Sequence, residues 1–225
     1  MSQSRGSRGT GAAADADAEL AQQVGELNLR VLQFIREIAL HAGDGPAPLP
    51  AAITALRGAW QSLPDPALAA VAKLPYVLLE GAFDGFSDER PRIAAVRDSS
   101  LVPSGARGGG VAEAVGLFNE PAGRAIALSL FHYAWHLARG SRLTAALVLG
   151  TTSASIEPLR DQSLQALEAD ALRCAPRVRL RWDARPDVWS RLLTAAVLGD
   201  EPALQNERLR GLQRIAGACR TQAAG

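Results

Sequence analysis

The chain has 225 residues, enough for one large domain or two small ones, and 48% of them are hydrophobic, so it can bury a substantial core. Its formal net charge is +1, so the chain lacks the basic excess that is typical of phosphate-binding proteins. Cys174 and Cys219 are the only cysteines, too few for a disulfide framework and without the CxxC spacing of a zinc site.

The N-terminus lacks the apolar stretch of a secretory signal, and no apolar run is long enough to span a bilayer. These features, together with the two cysteines, favour a soluble protein of the cytoplasm with no membrane partner. Residues 1–18 are mainly Gly, Ser, Ala and Asp, which bury little surface, so a disordered tail is predicted there.

An amphipathic helix is predicted from Glu19 to Leu40, where apolar residues recur every three or four positions. Shorter helices are predicted over Ala51 to Trp60 and after Asp65, which can cap the second of them. The segment from Pro75 is β-like or tightly buried. Residues 19–97 form the predicted N-terminal helical half, and residues 98–111, rich in Gly, Ser and Pro, form the predicted linker.

The C-terminal half is predicted over residues 112–225. Its first long helix, from about Gly123 to Arg139, is apolar over most of its surface, so other helices or a second subunit must cover it. The predicted contact residues of this helix are Ile126, Leu130, Tyr133 and Leu137.

A helical hairpin is predicted next, with spacing typical of a helix-turn-helix: Ala146 at the crossing, Gly150 in the turn, and Ile156 and Leu159 anchoring the second helix. Ser141 and Ser155 are the predicted caps. Pro158 is an obstacle, because it would interrupt a second helix that began at Ser153. The pattern fits DNA contact, and it also fits a hairpin buried in a core.

Another helix is predicted from Ser163 to Cys174, with Leu164, Leu167 and Leu172 facing inward. Arg177 to Trp182 then alternates arginine with apolar residues, as in a short strand whose arginines share a face. These arginines meet phosphates or an acidic partner in one interpretation and are merely solvated in the other. Two closing helices are predicted, over Asp187 to Leu198 and Ala203 to Ala218.

Seven residues are the candidate DNA contacts of this half. They are Arg142, Thr152, Ser153, Arg160, Arg177, Arg179 and Arg181.

The two halves echo one another. Asp65, Leu68 and Val71 have the spacing of Asp161, Leu164 and Leu167, and a proline, a hydrophobic segment and an aromatic–Asp pair follow in each half. This pattern indicates a degenerate duplication, although two short matches also arise by chance.

Catalytic and metal-binding motifs are weak. His132 and His136 have the spacing of two metal ligands, but no Glu lies between them as in HExxH, and packing explains them as well. Cys174 lies near arginines but has no histidine near it in the sequence, so a buried thiol is favoured over a reactive one. The sequence therefore predicts a non-enzymatic protein with no metal site, no cofactor and no small-molecule substrate.

Part of the second half resembles the flagellar transcriptional regulator FlhD family, over about residues 125–190. The resemblance is carried by four segments: Tyr133-Ala-Trp-His-Leu-Ala-Arg139, Leu143-Thr-Ala-Ala-Leu-Val-Leu-Gly150, Leu164-Gln-Ala-Leu167 and Arg179-Leu-Arg-Trp-Asp183. It implies a mainly helical dimer that acts in transcription with a partner subunit. The cysteine found in such proteins aligns with Val178, so an intersubunit disulfide is not carried over. The chain is about twice the usual family length.

We therefore expect an all-α protein made of two helical bundles or of a pseudo-duplicated helical unit, with a short β segment in each half. The expected function is regulation or assembly through a protein partner or self-association, with DNA as a further partner. The alternative is a protein-binding adaptor with no nucleic-acid role.

Overall fold

A computed structural model describes residues 9–41, 49–81, 83 and 116–223. The described residues are 79% helical, with ten α-helices and a single two-stranded sheet, so the all-α prediction is confirmed. The predicted linker over residues 98–111 lies outside the described residues.

Four helices and one strand are described in the first half. They are α1 (Gly9–His41), α2 (Ala51–Ala55), α3 (Arg57–Gln61), α4 (Asp65–Ala72) and β1 (Leu79–Glu80). Helix α1 packs against both α3 and α4. Its inward face also holds Asn28, whose side-chain amide donates to the carbonyl of Tyr76 (2.9 Å) and whose oxygen accepts from the backbone NH of Leu78 (2.9 Å). Asn28 thus ties the helix to the segment that leads into β1.

Over residues 116–223, the second half has six α-helices and one strand. They are α5 (Pro121–Gly140), α6 (Arg142–Leu149), α7 (Ser153–Arg160), α8 (Leu164–Cys174), β2 (Arg179–Leu180), α9 (Pro186–Leu198) and α10 (Glu201–Ala223). Short 3-10 turns precede α5 and follow α8. Helix α5 packs against α6, α7 and α8, and α10 packs on α9 and α6.

Helix α1 begins earlier than its apolar pattern predicts. The pattern starts at Glu19, but the helix starts at Gly9, so the predicted disordered tail is wrong for residues 9–18. Four alanines between Gly11 and Asp17 explain the extension, since alanine has the highest intrinsic helix propensity. Residues 1–8 lie outside the described part of the chain.

The two halves share one hydrophobic core. Helix α9 packs against α4 and α2 of the first half, and α1 packs against α5. The rings of Trp60 and Trp189 meet with centroids 5.2 Å apart, and those of Phe34 and Phe118 at 5.7 Å. The predicted halves are therefore not separate bundles, because each covers apolar surface of the other.

Helices α1 and α5 have the same burial pattern. The buried positions of α1 are Val24, Leu27, Asn28, Val31, Leu32, Phe34, Ile35 and Ala39. When the two helices are aligned without gaps so that Val24 matches Gly123, each of these positions matches a buried position of α5. The buried positions of α5 are Gly123, Ile126, Ala127, Leu130, Phe131, Tyr133, Ala134 and Ala138. All eight positions correspond.

In the same alignment, equivalent residues of the two halves form a tertiary hydrogen bond. Arg36 Nη1 donates to the carbonyl of Leu63 (3.0 Å), and Trp135 Nε1 donates to the carbonyl of Gln162 (3.1 Å). The side chains differ, but each ties the long helix of its half to the loop before the next helix, α4 or α8. The alignment also matches the first residues of α4 and α8, and the buried Leu68 with the buried Leu167.

The equivalent elements of the two halves face each other. Strands β1 and β2 pair antiparallel, with Leu79 opposite Leu180, and α1 lies against α5. Contacts between equivalent elements are those of a two-fold symmetric dimer. This arrangement fits the second of the two predicted architectures, a pseudo-duplicated unit with a short strand in each half.

The sequence match that suggested the duplication is off by one helical turn. It placed Leu68 on Leu164, but Leu164 is half exposed and the buried equivalent is Leu167. Asp161, taken as the counterpart of Asp65, ends α7 instead of beginning α8, which Ser163 caps.

Candidate functional site

The predicted helical hairpin is present as α6, the Gly150 turn and α7. Ser141 caps α6 by accepting from the NH of Thr144, as predicted, and Gly150 ends it at φ 64°. The cap of α7 is Thr152, which accepts from the NH of Ser155, so the prediction of Ser155 as the cap is wrong. Ile156 and Leu159 are buried as anchors.

Pro158 lies inside α7, where it cannot donate to the carbonyl of Ala154. The helix nevertheless continues to Arg160, because burial of Ile156 and Leu159 against α5 outweighs one missing bond in a helix of eight residues.

Two of the hairpin residues predicted to contact DNA, Arg142 and Thr152, are already engaged. Arg142 pairs with Glu157 across the hairpin at 2.5 Å, so its charge is locally neutralised. Thr152 is half-buried, and its hydroxyl lies 2.8 Å from that of Ser155. Ser153 is half-buried at the first position of α7. Arg160, at the end of the same helix, is exposed.

The arginine segment does not form the predicted one-sided strand. Arg177 ends the 3-10 turn after α8, where its Nη2 lies 3.2 Å from Cys174 Sγ, and only Arg179 and Leu180 are β residues. Arg177 and Arg179 are exposed, while Val178 and Leu180 are buried as predicted. The chain then turns through Trp182 at φ 56°, which ends the alternation.

Arg181 points inward, so its prediction as a DNA contact is wrong. It is 3% exposed, and its guanidinium donates to the carbonyls of Val77 (2.8 Å), Leu79 (3.1 Å) and Leu149 (2.7 Å). Burial lowers the pKa of this guanidinium below its ordinary value, against the opposing effect of Glu80, whose carboxylate lies 3.9 Å from Nη1. Arg181 thus connects the segment after β2 with the β1 segment of the first half and with the end of α6 in the hairpin.

The predicted subunit interface on α5 is covered by the chain itself. Ile126, Leu130 and Tyr133 are buried, and Leu137 is half-buried. Helices α1, α6, α7 and α8 surround α5, which explains why it is apolar over most of its surface. These four residues therefore do not form an exposed contact patch.

Helix α8 exposes apolar residues that were predicted to face inward. Leu164 and Leu172 are 50% and 56% exposed, and Glu168 lies between them on the same face. At the equivalent positions, the first half has Asp65 and Ala69 in α4 and Lys73 directly after it. The outer face of α8 (Leu164, Glu168, Leu172) is thus apolar at the two positions where its counterpart is charged.

The histidines and cysteines make other contacts. His132 Nε2 lies 3.7 Å from a carboxylate oxygen of Glu168, and the ring of His136 packs against Trp135. Cys174 is buried, and Cys219 Sγ contacts the carbonyl of Thr151 at 3.2 Å. In the described ranges, no group of three or more His, Cys, Asp or Glu is placed to hold a metal ion.

No helix among the described residues is both long enough and apolar enough to cross a membrane. In comparisons with known proteins, no family model matches the chain, and no significant match to a curated protein or a solved structure is found.

Proposed function

We propose that the chain is a non-enzymatic regulatory or assembly protein that acts by binding a protein partner through the outer face of α8. The proposal keeps the regulatory role implied by the resemblance to flagellar transcriptional regulators. It moves the contact surface away from α5, whose apolar residues lie in the core.

The observation that carries the proposal is the difference between two equivalent helices. Helices α4 and α8 begin at equivalent positions and pack against equivalent long helices, α1 and α5. The first half folds with the charged residues Asp65 and Lys73 at the positions where the second half has Leu164 and Leu172. Folding therefore does not require leucine at these positions, and exposed apolar side chains on one face of a helix suit a docking surface.

The composition of this face suits a helical partner. Leu164, Glu168 and Leu172 follow one another at helical spacing, with one apolar side chain on each side of the carboxylate. A partner helix with apolar residues flanking a Lys or Arg would complement it in shape and charge.

The test replaces the two leucines with the residues of the first half. The L164D/L172K double variant should fold with a melting temperature close to that of the wild type, because both leucines are half exposed on α8. A photo-crosslinking amino acid at the exposed Gln165 should identify the partner in cells of the source organism. With the purified partner, the double variant should bind at least tenfold more weakly.

Leu198→Asp, at an exposed position on α9, is the control for a general loss of apolar surface and should bind like the wild type. Equal affinity of the wild type and the L164D/L172K variant would reject the proposal.

DNA is the second candidate partner, favoured by the exposed side chains of Arg160, Arg177 and Arg179. A salt-sensitive gel shift on duplex DNA, weakened in the variant with glutamine at all three positions, would support it. No shift at low salt, with or without the protein partner, would leave the adaptor role.

A further inference from the structure

A second feature of the molecule, away from the face of α8, is a cavity where the two halves meet α10. Its volume is about 280 Å³, and its wall includes Glu80, Gly150, Thr151, Arg181, Trp182 and Arg214. These residues come from β1, the hairpin turn, the segment after β2, and α10. We propose that this cavity binds a small oxyanion, a phosphate or carboxylate group, between Arg181 and Arg214.

Arg181 provides the inner half of the site. Its Nε and Nη2 are held by three backbone carbonyls, which fix the plane of the guanidinium. No hydrogen bond to a described residue uses Nη1, whose nearest carboxylate oxygen, on Glu80, lies 3.9 Å away. A buried cation with a free donor and only a distant counter-charge is stabilised by an anion that reaches it.

Arg214 provides the outer half. Its guanidinium lies over the ring of Trp182, 5.8 Å from the centroid, which restrains its position. Its Nη1 is buried and lies 3.9 Å from Oε2 of Glu207, whose other carboxylate oxygen binds Arg191 and Arg210. Glu207 thus faces three arginines and does not neutralise all of them.

The charge of the cavity favours an anion. Two guanidinium groups line it, and the opposing carboxylate of Glu80 is half exposed, so its charge is well solvated. Guanidinium groups have the planar donor geometry that matches carboxylate and phosphate oxygens. The volume is at the lower limit for ligand pockets, which restricts the ligand to a small anion.

The site is independent of the proposed protein contact on α8. An occupant would touch the turn at Gly150 and Thr151 and also α10, so its binding energy would hold the hairpin, β2 and α10 together.

The test is calorimetric titration of the full chain with inorganic phosphate and with malonate at constant ionic strength. We expect saturable one-to-one binding of at least one of them. Binding of phosphate alone would identify a phosphoryl group as the ligand, and binding of malonate alone would identify a carboxylate. Binding of both would show that the site accepts small oxyanions of either kind.

Three variants make the test specific. Arg214→Gln should weaken binding by about tenfold, the loss of one charge-assisted hydrogen bond. Glu80→Gln should tighten it, because the variant removes the competing negative charge. Arg220→Gln changes the same charge elsewhere on α10 and should have no effect. Absence of saturable binding of both anions, or equal affinities in all the variants, would overturn the proposal.

Discussion

Leu79 lies opposite Leu180 in the antiparallel pair of strands that joins the two halves. The next pair, Glu80 and Arg179, joins residues that are equivalent in the alignment of α1 with α5, so it lies where a two-fold axis would cross a symmetric dimer. Arg181 follows Leu180 directly, and its backbone NH donates to the carbonyl of Leu78 at 2.8 Å. The junction of the halves is therefore also where the second half inserts its buried cation.

Arg181 should be essential for stability. Arg181→Ala removes the donors of three buried carbonyls and leaves a cavity, so it should lower the free energy of unfolding by about 3 kcal/mol or more. Urea denaturation followed by circular dichroism measures this. Arg179→Ala, at the exposed neighbouring strand position, should change it by less than about 0.5 kcal/mol. A loss below about 1 kcal/mol for Arg181→Ala would contradict the structural role given to it.

Gly150 should tolerate alanine less well than Gly199 does. Both end helices at positive φ, 64° and 65°, so both variants carry the left-handed strain of about 1–2 kcal/mol. A Cβ at Gly150 would also collide with the Arg181 guanidinium, whereas a Cβ at Gly199 would meet open space. Gly150→Ala should therefore destabilise the protein by at least about 1 kcal/mol more than Gly199→Ala in the same denaturation assay. Equal losses would mean that Arg181 moves aside freely.

Local patterns predicted much of this fold, because the residues that decide a helix lie within a few positions of one another. The 3.6-residue periodicity placed α1 and α5, and Ser141 and Gly150 marked the ends of α6. Arg181 was misplaced because its acceptors lie far away in the chain, Val77 being 104 residues distant. The alternation of arginine with apolar residues cannot show that contacts with distant residues turn the chain after Leu180.

The outer face of α8 was misread for a different reason. Leu164 and Leu172 fit the apolar periodicity of a helix, and periodicity alone cannot distinguish a leucine of the core from one on a binding surface. The charged residues at the equivalent positions of the first half make this distinction. Those positions can be identified only after α1 and α5 have been aligned by their buried residues.

Asn28 is a buried polar residue that periodicity also passes over. Its side chain binds the backbone at Tyr76 and Leu78, and Ala127 takes its place in α5. Asn28→Ala should lower the free energy of unfolding by about 2 kcal/mol, since it leaves a buried carbonyl and a buried NH without partners. Gln33→Ala, at an exposed position of the same helix, is the control and should be nearly neutral. A neutral Asn28→Ala would show that these backbone groups find other partners.

Tyr76 should make the protein sensitive to alkali. Burial raises the pKa of its hydroxyl well above the ordinary value, and Arg181 only partly opposes this effect. Below pH 10 both the folded and the unfolded chain keep the proton. Above it the unfolded chain, with an ordinary pKa of about 10, loses the proton while the folded chain holds it, so stability falls as the pH rises.

Tyr76→Phe removes this titration. The hydroxyl has no hydrogen-bond partner among the described residues, so the variant should be as stable as the wild type at pH 7 or more stable by about 1 kcal/mol. Above pH 10 its advantage should grow by up to about 1.4 kcal/mol per pH unit, as measured by urea denaturation at each pH. Tyr133, the other tyrosine, is also buried with a raised pKa, so the Y76F/Y133F variant should be less sensitive still. A loss of 1 kcal/mol or more for Tyr76→Phe at pH 7 would mean that the hydroxyl is hydrogen-bonded in solution, for which about 1 kcal/mol is the typical value.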